Sequence, residues 1–153
     1  MADIIQQFAQ AGFRIFPLRG KTPDVAKGTD WKTTPKDRAL SRLDILGNFG
    51  VHCEEILVLD IDVKKGAPGK ESWKKLRAQL GLADGWESGT FVVRTGTGGF
   101  HIYLSLPEGV RTQKTRLNIP DYPGIEFRHG PFYVVGPESV HPDTHEAYRV
   151  VFG

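Results

Sequence analysis

Asp60 and Asp62 stand two residues apart in an otherwise apolar run, ILVLDIDVKK, from Ile56 to Lys65. Alternate side chains of an extended strand share a face. Ile56, Val58, Asp60 and Asp62 therefore line one side, and Leu57, Leu59, Ile61 and Val63 the other. Aspartate is disfavoured in strands, and two on neighbouring same-face positions repel unless a cation stands near them. The pair suits a divalent metal, although an antiparallel sheet with one solvated face would account for a single such carboxylate without one. The same alternation sends His101, Tyr103 and Ser105 of GFHIYLSL to one face, and Glu126 and Arg128 of GIEFRH to one face. If these three strands are neighbours in one sheet, Asp60, Asp62, His101 and Glu126 converge. Three carboxylates would serve two hard cations about 3.5–4 Å apart, the arrangement that activates an attacking oxygen and stabilises the leaving one in phosphoryl transfer. Oxygen donors favour Mg²⁺ or Mn²⁺ over zinc. The single cysteine, Cys53, leaves no cysteine-built zinc module and no internal disulfide, and reads as a small buried hydrophobe.

A second chemistry-bearing stretch is RTGTGGFH, Arg94 to His101. Glycines such as Gly98 and Gly99 let a backbone approach a ligand closely, and successive exposed amides make an anion-binding nest. Arg94 and His101 flank it. The stretch lacks the GxxxxGK[ST] spacing of a P-loop and leads into a strand instead of a helix. A plain glycine-rich hairpin is the alternative; delivery of a histidine to the face of the carboxylates favours a nucleoside triphosphate site.

The elements that must position these groups alternate between helical and strand patterns. An amphipathic opening helix (Ile4, Ile5, Phe8, Ala11) precedes a strand at 14–17, and Thr34 with Pro35 signals a helix carrying Leu40, Leu43 and Leu46 up to Gly47. Strands are predicted at 49–52 and 56–62, a helix at 70–80, then strands at 90–94, 100–106, 124–128, 132–136 and 147–151. This order predicts an α+β fold: a mixed or antiparallel sheet with helices packed on one face. The 153 residues, 39% hydrophobic and 25% charged, fit one domain, and a net charge of +2 does not by itself announce nucleic acid. Basic residues are nevertheless gathered at 14–42 and 111–116, making Lys21, Lys32, Arg111 and Lys114 candidates for a nucleic-acid backbone, with Trp31 and Tyr122 as candidate base-stacking aromatics. The first residues lack a basic leader and no apolar run has membrane-spanning length, which points to a cytoplasmic protein without a membrane partner.

Taken together, these pieces resemble the N-terminal bifunctional DNA primase/polymerase (prim-pol) domain of the archaeo-eukaryotic primase superfamily. FPLRGKTPDVAKGTDWKTTPKD is similar to that family's N-terminal segment, and NFGVHCEEILVLDIDVKKG to its Asp-x-Asp motif. VVRTGTGGFHIYL resembles its second motif, ending in His101, and GIEFRHGPFYVVGPESVHPDTHEAYRVV its third motif with the strand, proline-serine turn and final strand that follow. The third motif usually carries Asp, where this chain has the longer Glu126.

The resemblance implies an RRM-like catalytic sheet in a single prim-pol domain over residues 1–153, of the kind that begins larger replication proteins. It implies a template-dependent DNA polymerase/primase that transfers nucleotides from dNTP or NTP to a 3′-OH and releases pyrophosphate. Asp60, Asp62 and Glu126 would hold two Mg²⁺ or Mn²⁺ ions. His101, with Arg94, Gly98, Gly99, Arg128 and Ser139, would bind the nucleotide. Partners would be a DNA template and primer, with a helicase module downstream, as in phage and plasmid replication proteins. A His-hydrophobe-His replication nuclease would need a second histidine and a tyrosine nucleophile, and FHIYL holds one histidine. A non-catalytic RRM-like binder would need exposed aromatics on its sheet face, where this face is acidic.

Overall fold

The computed structural model describes residues 3–24, 31–33, 47–109 and 117–153. Helix α1 (Ile4–Gln10) starts at Asp3, whose side chain accepts a hydrogen bond from Ile5 N at 2.8 Å and so caps a free helix-end amide. Strands β1 (Ile15–Arg19), β2 (Thr22–Pro23), β3 (Phe49–His52) and β4 (Ile56–Ile61) follow, then helix α2 (Gly69–Gln79). The second half holds β5 (Phe91–Arg94), β6 (Phe100–Ser105), β7 (Leu117–Asn118), β8 (Ile125–Arg128), β9 (Tyr133–Val135) and β10 (Arg149–Phe152). The helix expected from Thr34 lies outside the described residues.

The class is α+β, as the alternation of patterns predicts, but the strands divide between two antiparallel sheets. The larger runs β10-β5-β6-β4-β8-β7 and the smaller β2-β1-β3-β9. Both faces of the larger sheet are packed. On one, Leu59, Ile61, Val92, Ile102 and Ile125 meet Trp73 of α2 and Tyr122. On the other, Val58, Val93 and Tyr103 meet the smaller sheet through Phe16, Phe49, Val51, Val134 and Val135. Helix α1 plugs the seam: the Phe8 ring lies 5.6 Å from Phe49, 5.7 Å from Phe91 and 6.2 Å from Tyr103, so it touches both sheets. Burying that ring stabilises the seam by about 1.5–3 kcal/mol. The helices thus lie on opposite sides of the larger sheet, where alternation alone suggested one covered face. Period-two reading detects two faces but not a second sheet; Val58 reports it, being fully buried on the aspartate side.

Close backbone approaches fix the strand ends that carry the motifs. Asp62 falls just beyond β4, where its N–H donates to Gly124 O at 2.7 Å and its carbonyl accepts from Gly69 N at 3.0 Å. A β-carbon on Gly69 would sit 2.2 Å from Asp62 O, so the first residue of α2 must be glycine for this junction to close. Gly99 does the same at the start of β6, where a β-carbon would come within 2.2 Å of Ile61 O. Because that obstacle is backbone in the centre of the larger sheet, Gly99→Ala is expected to lower stability by about 1–3 kcal/mol or more. Gly89→Ala, where the added methyl meets nothing within 4 Å, should be close to neutral by comparison. Urea unfolding of both variants measures the difference.

Candidate active site

The register of the larger sheet decides which side chains meet. Strand β4 pairs with β6 and with β8, and Asp60 is directly opposite His101 on one side and Glu126 on the other. The three strands read as neighbours in the sequence are neighbours, and their polar positions form one row. His101 Nε2 lies 3.6 Å from Asp60 Oδ1, longer than a hydrogen bond. Arg128, two residues beyond Glu126 on the same face, donates from Nε to Asp60 Oδ2 at 3.0 Å and from Nη2 to Glu126 Oε2 at 3.2 Å. Asp60, Glu126 and Arg128 are each about one-fifth exposed, and His101 is buried.

The row opens into a cavity of about 260 Å³ between the two sheets. Asp60, His101 and Arg128 form its floor on the larger sheet, while Tyr133, Val134 and Val135 of β9 form the facing wall. Lys21 from the β1–β2 turn, Trp31 and Tyr148 also line it, with Pro131 and Phe132 ahead of β9. Trp31 is held there by stacking on Phe16, 5.1 Å between centroids, with the Tyr133 ring edge-on at 4.8 Å. Tyr148 lies between two histidines, 5.9 Å from the His101 ring and 6.2 Å from that of His141.

Asp62 contributes to this field from the strand's end. Its Oδ1 accepts from Lys64 N at 2.8 Å, a local turn that commits one carboxylate oxygen. Among the described residues no group of three or more His, Cys, Asp or Glu side chains is assembled as a ready metal cage. Two features of the chain account for this: Asp62 is turned to Lys64, and the Arg128 guanidinium lies between the other two carboxylates. The donor chemistry itself fits a hard divalent cation. Two carboxylates face each other across a ladder, where like charges repel and require a cation.

Other expected site residues have different positions. The Gly98 amide donates to Thr95 O at 3.0 Å and the Gly99 amide to Thr95 Oγ1 at 3.1 Å, so both are spent inside the turn. The loop is a tight hairpin whose glycines permit close packing: a β-carbon on Gly96 would meet that of His141 at 2.4 Å. Arg94 pairs with Phe100 and so belongs to the opposite face from His101. Ser139 is buried, its hydroxyl accepting from Phe49 N at 3.2 Å. Lys21 lines the cavity; Lys32 Nζ lies 5.8 Å over the Trp31 ring, and Arg111 and Lys114 fall outside the described residues. Tyr122 is buried on the α2 side with its hydroxyl on Gln79, so it packs locally. Tyr133, Tyr148 and His141 were not singled out by sequence reasoning. Each sits in a short strand or loop whose approach to His101 depends on long-range packing, and only the aromatic content of PFYVV and EAYRVV hinted at it.

The family described as bifunctional DNA primase/polymerase, N-terminal, matches residues 5–153. The chain belongs to this family. Membership places it among primase/polymerase-type nucleotidyltransferases in general, with nucleotides and nucleic acid as the class of substrate. A comparison with curated proteins found no match. Among the described residues of this prim-pol chain, no helix is long and apolar enough to cross a membrane.

Within the prim-pol site, burial governs the protonation states. Burial pushes His101 below the ordinary histidine range, against the opposing pull of Asp60. Burial, then the Asp60 charge, pushes the Tyr148 phenol up to about 12, and burial takes the Cys53 thiol to about 12. His141 is likewise lowered by burial and by Lys21, and its Nδ1 accepts from Asp143 N at 3.1 Å, a bond that protonation would abolish. Both histidines therefore stay neutral when folded but take up protons on unfolding near pH 6.5. Since the unfolded chain binds more protons, stability rises with pH through this region and falls as pH drops below about 6.5. Each histidine contributes at most about 1.4 kcal/mol per pH unit. Denaturant titrations between pH 7.5 and 5.5 should show this loss, with a shallower slope in His141→Asn, whose amide oxygen can still accept the Asp143 bond.

Proposed function

We propose that this domain is a template-dependent DNA polymerase/primase that joins the α-phosphate of a dNTP or NTP to a 3′-OH and releases pyrophosphate. The observation that carries the reading is the register: one row across β6-β4-β8 sets His101, Asp60 and Glu126 side by side, and His101 and Asp60 of that row line a cavity shared with Lys21 and Arg128. On this reading Asp60, Glu126 and the uncommitted oxygen of Asp62 hold two Mg²⁺ or Mn²⁺ ions. Such ions, when bound, activate the attacking oxygen and stabilise the leaving one.

The chain's own groups do the rest. Lys21 and Arg128 supply positive charge to the phosphates, and the Arg128 fork matches a phosphate bidentately. His101, neutral in its buried setting, has an Nδ1 without a hydrogen-bond partner among the described residues. A buried polar atom left unpaired is costly in an empty site and useful in a filled one. Trp31, Tyr133 and Tyr148 present flat apolar surface suited to a nucleobase or sugar. No protein nucleophile is needed. A Tyr148 phenol with its pKa pushed up to about 12 is poorly suited to being one, which supports polymerase over tyrosine-nuclease chemistry.

Extension of a primed template with dNTPs and Mg²⁺ or Mn²⁺ tests the reading. Asp60→Asn and Glu126→Gln, which keep size and remove charge, should each lower extension on the order of 10²-fold or more without unfolding the chain. Glu126→Asp should retain part of the activity and alter the Mg²⁺ to Mn²⁺ preference. Equal extension by Asp60→Asn and wild type, or no extension by wild type with either ion, would sink the proposal.

A further inference from the structure

Arg128 occupies an unusual place for a residue assigned to the nucleotide. Its Nη2 lies 3.0 Å from Asp60 Oδ2 and 3.2 Å from Glu126 Oε2, so one guanidinium bridges the two carboxylates that the ladder sets opposite each other. A divalent cation would use the same lone pairs and could not share them with a guanidinium at hydrogen-bond distance, because the two cations repel. Yet Arg128 is not locked in the core: its side chain is 24% exposed and lines the cavity.

We propose that Arg128 is an internal surrogate cation, which neutralises Asp60 and Glu126 in the free domain, yields them to divalent metal, and then turns its fork to the nucleotide's phosphates. The proposal rests on the reading of Asp60 and Glu126 as metal ligands. Its consequence is cooperativity. Metal arriving alone must break the bridge and leave a partly buried guanidinium unpaired, which is unfavourable. Nucleotide arriving alone finds the guanidinium already paired with carboxylates. Arriving together, each relieves the obstacle the other meets, and the coupling must be equal in both directions. The free domain would then hold little metal, and its carboxylates would be charge-balanced without it.

Mn²⁺ binding to the full chain, read by loss of the free-ion paramagnetic resonance signal, tests this without any turnover. In the absence of nucleotide, Arg128→Ala should bind Mn²⁺ roughly tenfold or more tighter than wild type, since a charge-assisted hydrogen-bonded bridge no longer competes. Arg128→Lys, which keeps the charge and loses the fork, should fall between them. The factor by which Mn²⁺ tightens binding of a non-hydrolysable deoxynucleoside triphosphate should fall by a similar amount in Arg128→Ala. A merely structural arginine predicts the reverse, weaker metal binding when the carboxylates lose their support. Because Arg128→Ala leaves two carboxylates facing each other, wild-type protein supplies a second measurement: the Arg128 Nε–H nuclear resonance should shift and lose exchange protection as Mg²⁺ is added. If Asp60→Asn abolishes Mn²⁺ binding while Arg128→Ala binds no tighter than wild type, or if the Nε–H resonance is unmoved at saturating Mg²⁺, the surrogate-cation proposal is overturned and the metal site stands. If Asp60→Asn binds Mn²⁺ as wild type does, the metal reading falls and the proposal with it.

Discussion

Strand β4 is paired on both edges, and that double pairing is what the site depends on. An interior strand in an antiparallel sheet has its register set twice, by β6 and by β8, and a one-residue slip on either side would move His101 or Glu126 to the opposite face. The slip is opposed by packing on both faces at once. Leu59 and Ile61 are buried toward α2, and Val58 is buried toward the smaller sheet. Asp60 therefore has a fixed position, with its charge met by Arg128 from the neighbouring strand. The polar row and the hydrophobic layers come from the same ladder, so the catalytic geometry proposed here cannot loosen without the core loosening too.

The second sheet changes the electrical environment of that row. A carboxylate on a sheet open to water would be screened, and a facing arginine would contribute little. Here Tyr133, Val134 and Val135 roof the cavity and Tyr148 closes one side, so the charges of Asp60, Glu126 and Arg128 interact through a partly dry space. The same burial that strengthens those interactions keeps His101 neutral and Tyr148 protonated. Neutrality matters for the proposed function, because a histidinium beside Asp60 would compete with metal for that carboxylate, whereas a neutral ring offers a hydrogen bond without a charge.

How much of this could be read in advance follows from the range of the signals. The strand at Ile56, the faces of GFHIYLSL and GIEFRH, and the convergence of Asp60, His101 and Glu126 were legible because a period of two acts within a few residues and the motif strands proved to be neighbours. Asp62 was placed in the strand by the same rule, yet the strand ends at Ile61 because Gly69 and Gly124 converge on the Asp62 backbone. That convergence joins segments far apart in sequence and leaves no local trace beyond the glycines themselves. The smaller sheet was invisible for a similar reason: its strands are short, and β9 pairs with β3 across some eighty residues. Tyr148 and His141 reach the site only through that packing.

The glycine loop shows how a chemically suggestive pattern can be structural in origin. RTGTGGFH invited a phosphate nest, but the Gly98 and Gly99 amides close the turn on Thr95, while Gly96 and Gly99 are demanded by His141 and by the Ile61 carbonyl. With those amides occupied, a triphosphate in the neighbouring cavity would have to be held mainly by side chains and by the metals it brings. Among the described residues Lys21 and Arg128 are the cationic side chains lining that cavity, and Arg128 already serves two carboxylates. On the surrogate-cation proposal, the Arg128 charge becomes available to the nucleotide as metal takes over the carboxylates. On that proposal the site would favour the metal-bound nucleotide over either component alone, and substrate selection would be tied to the ladder that set Asp60 opposite Glu126.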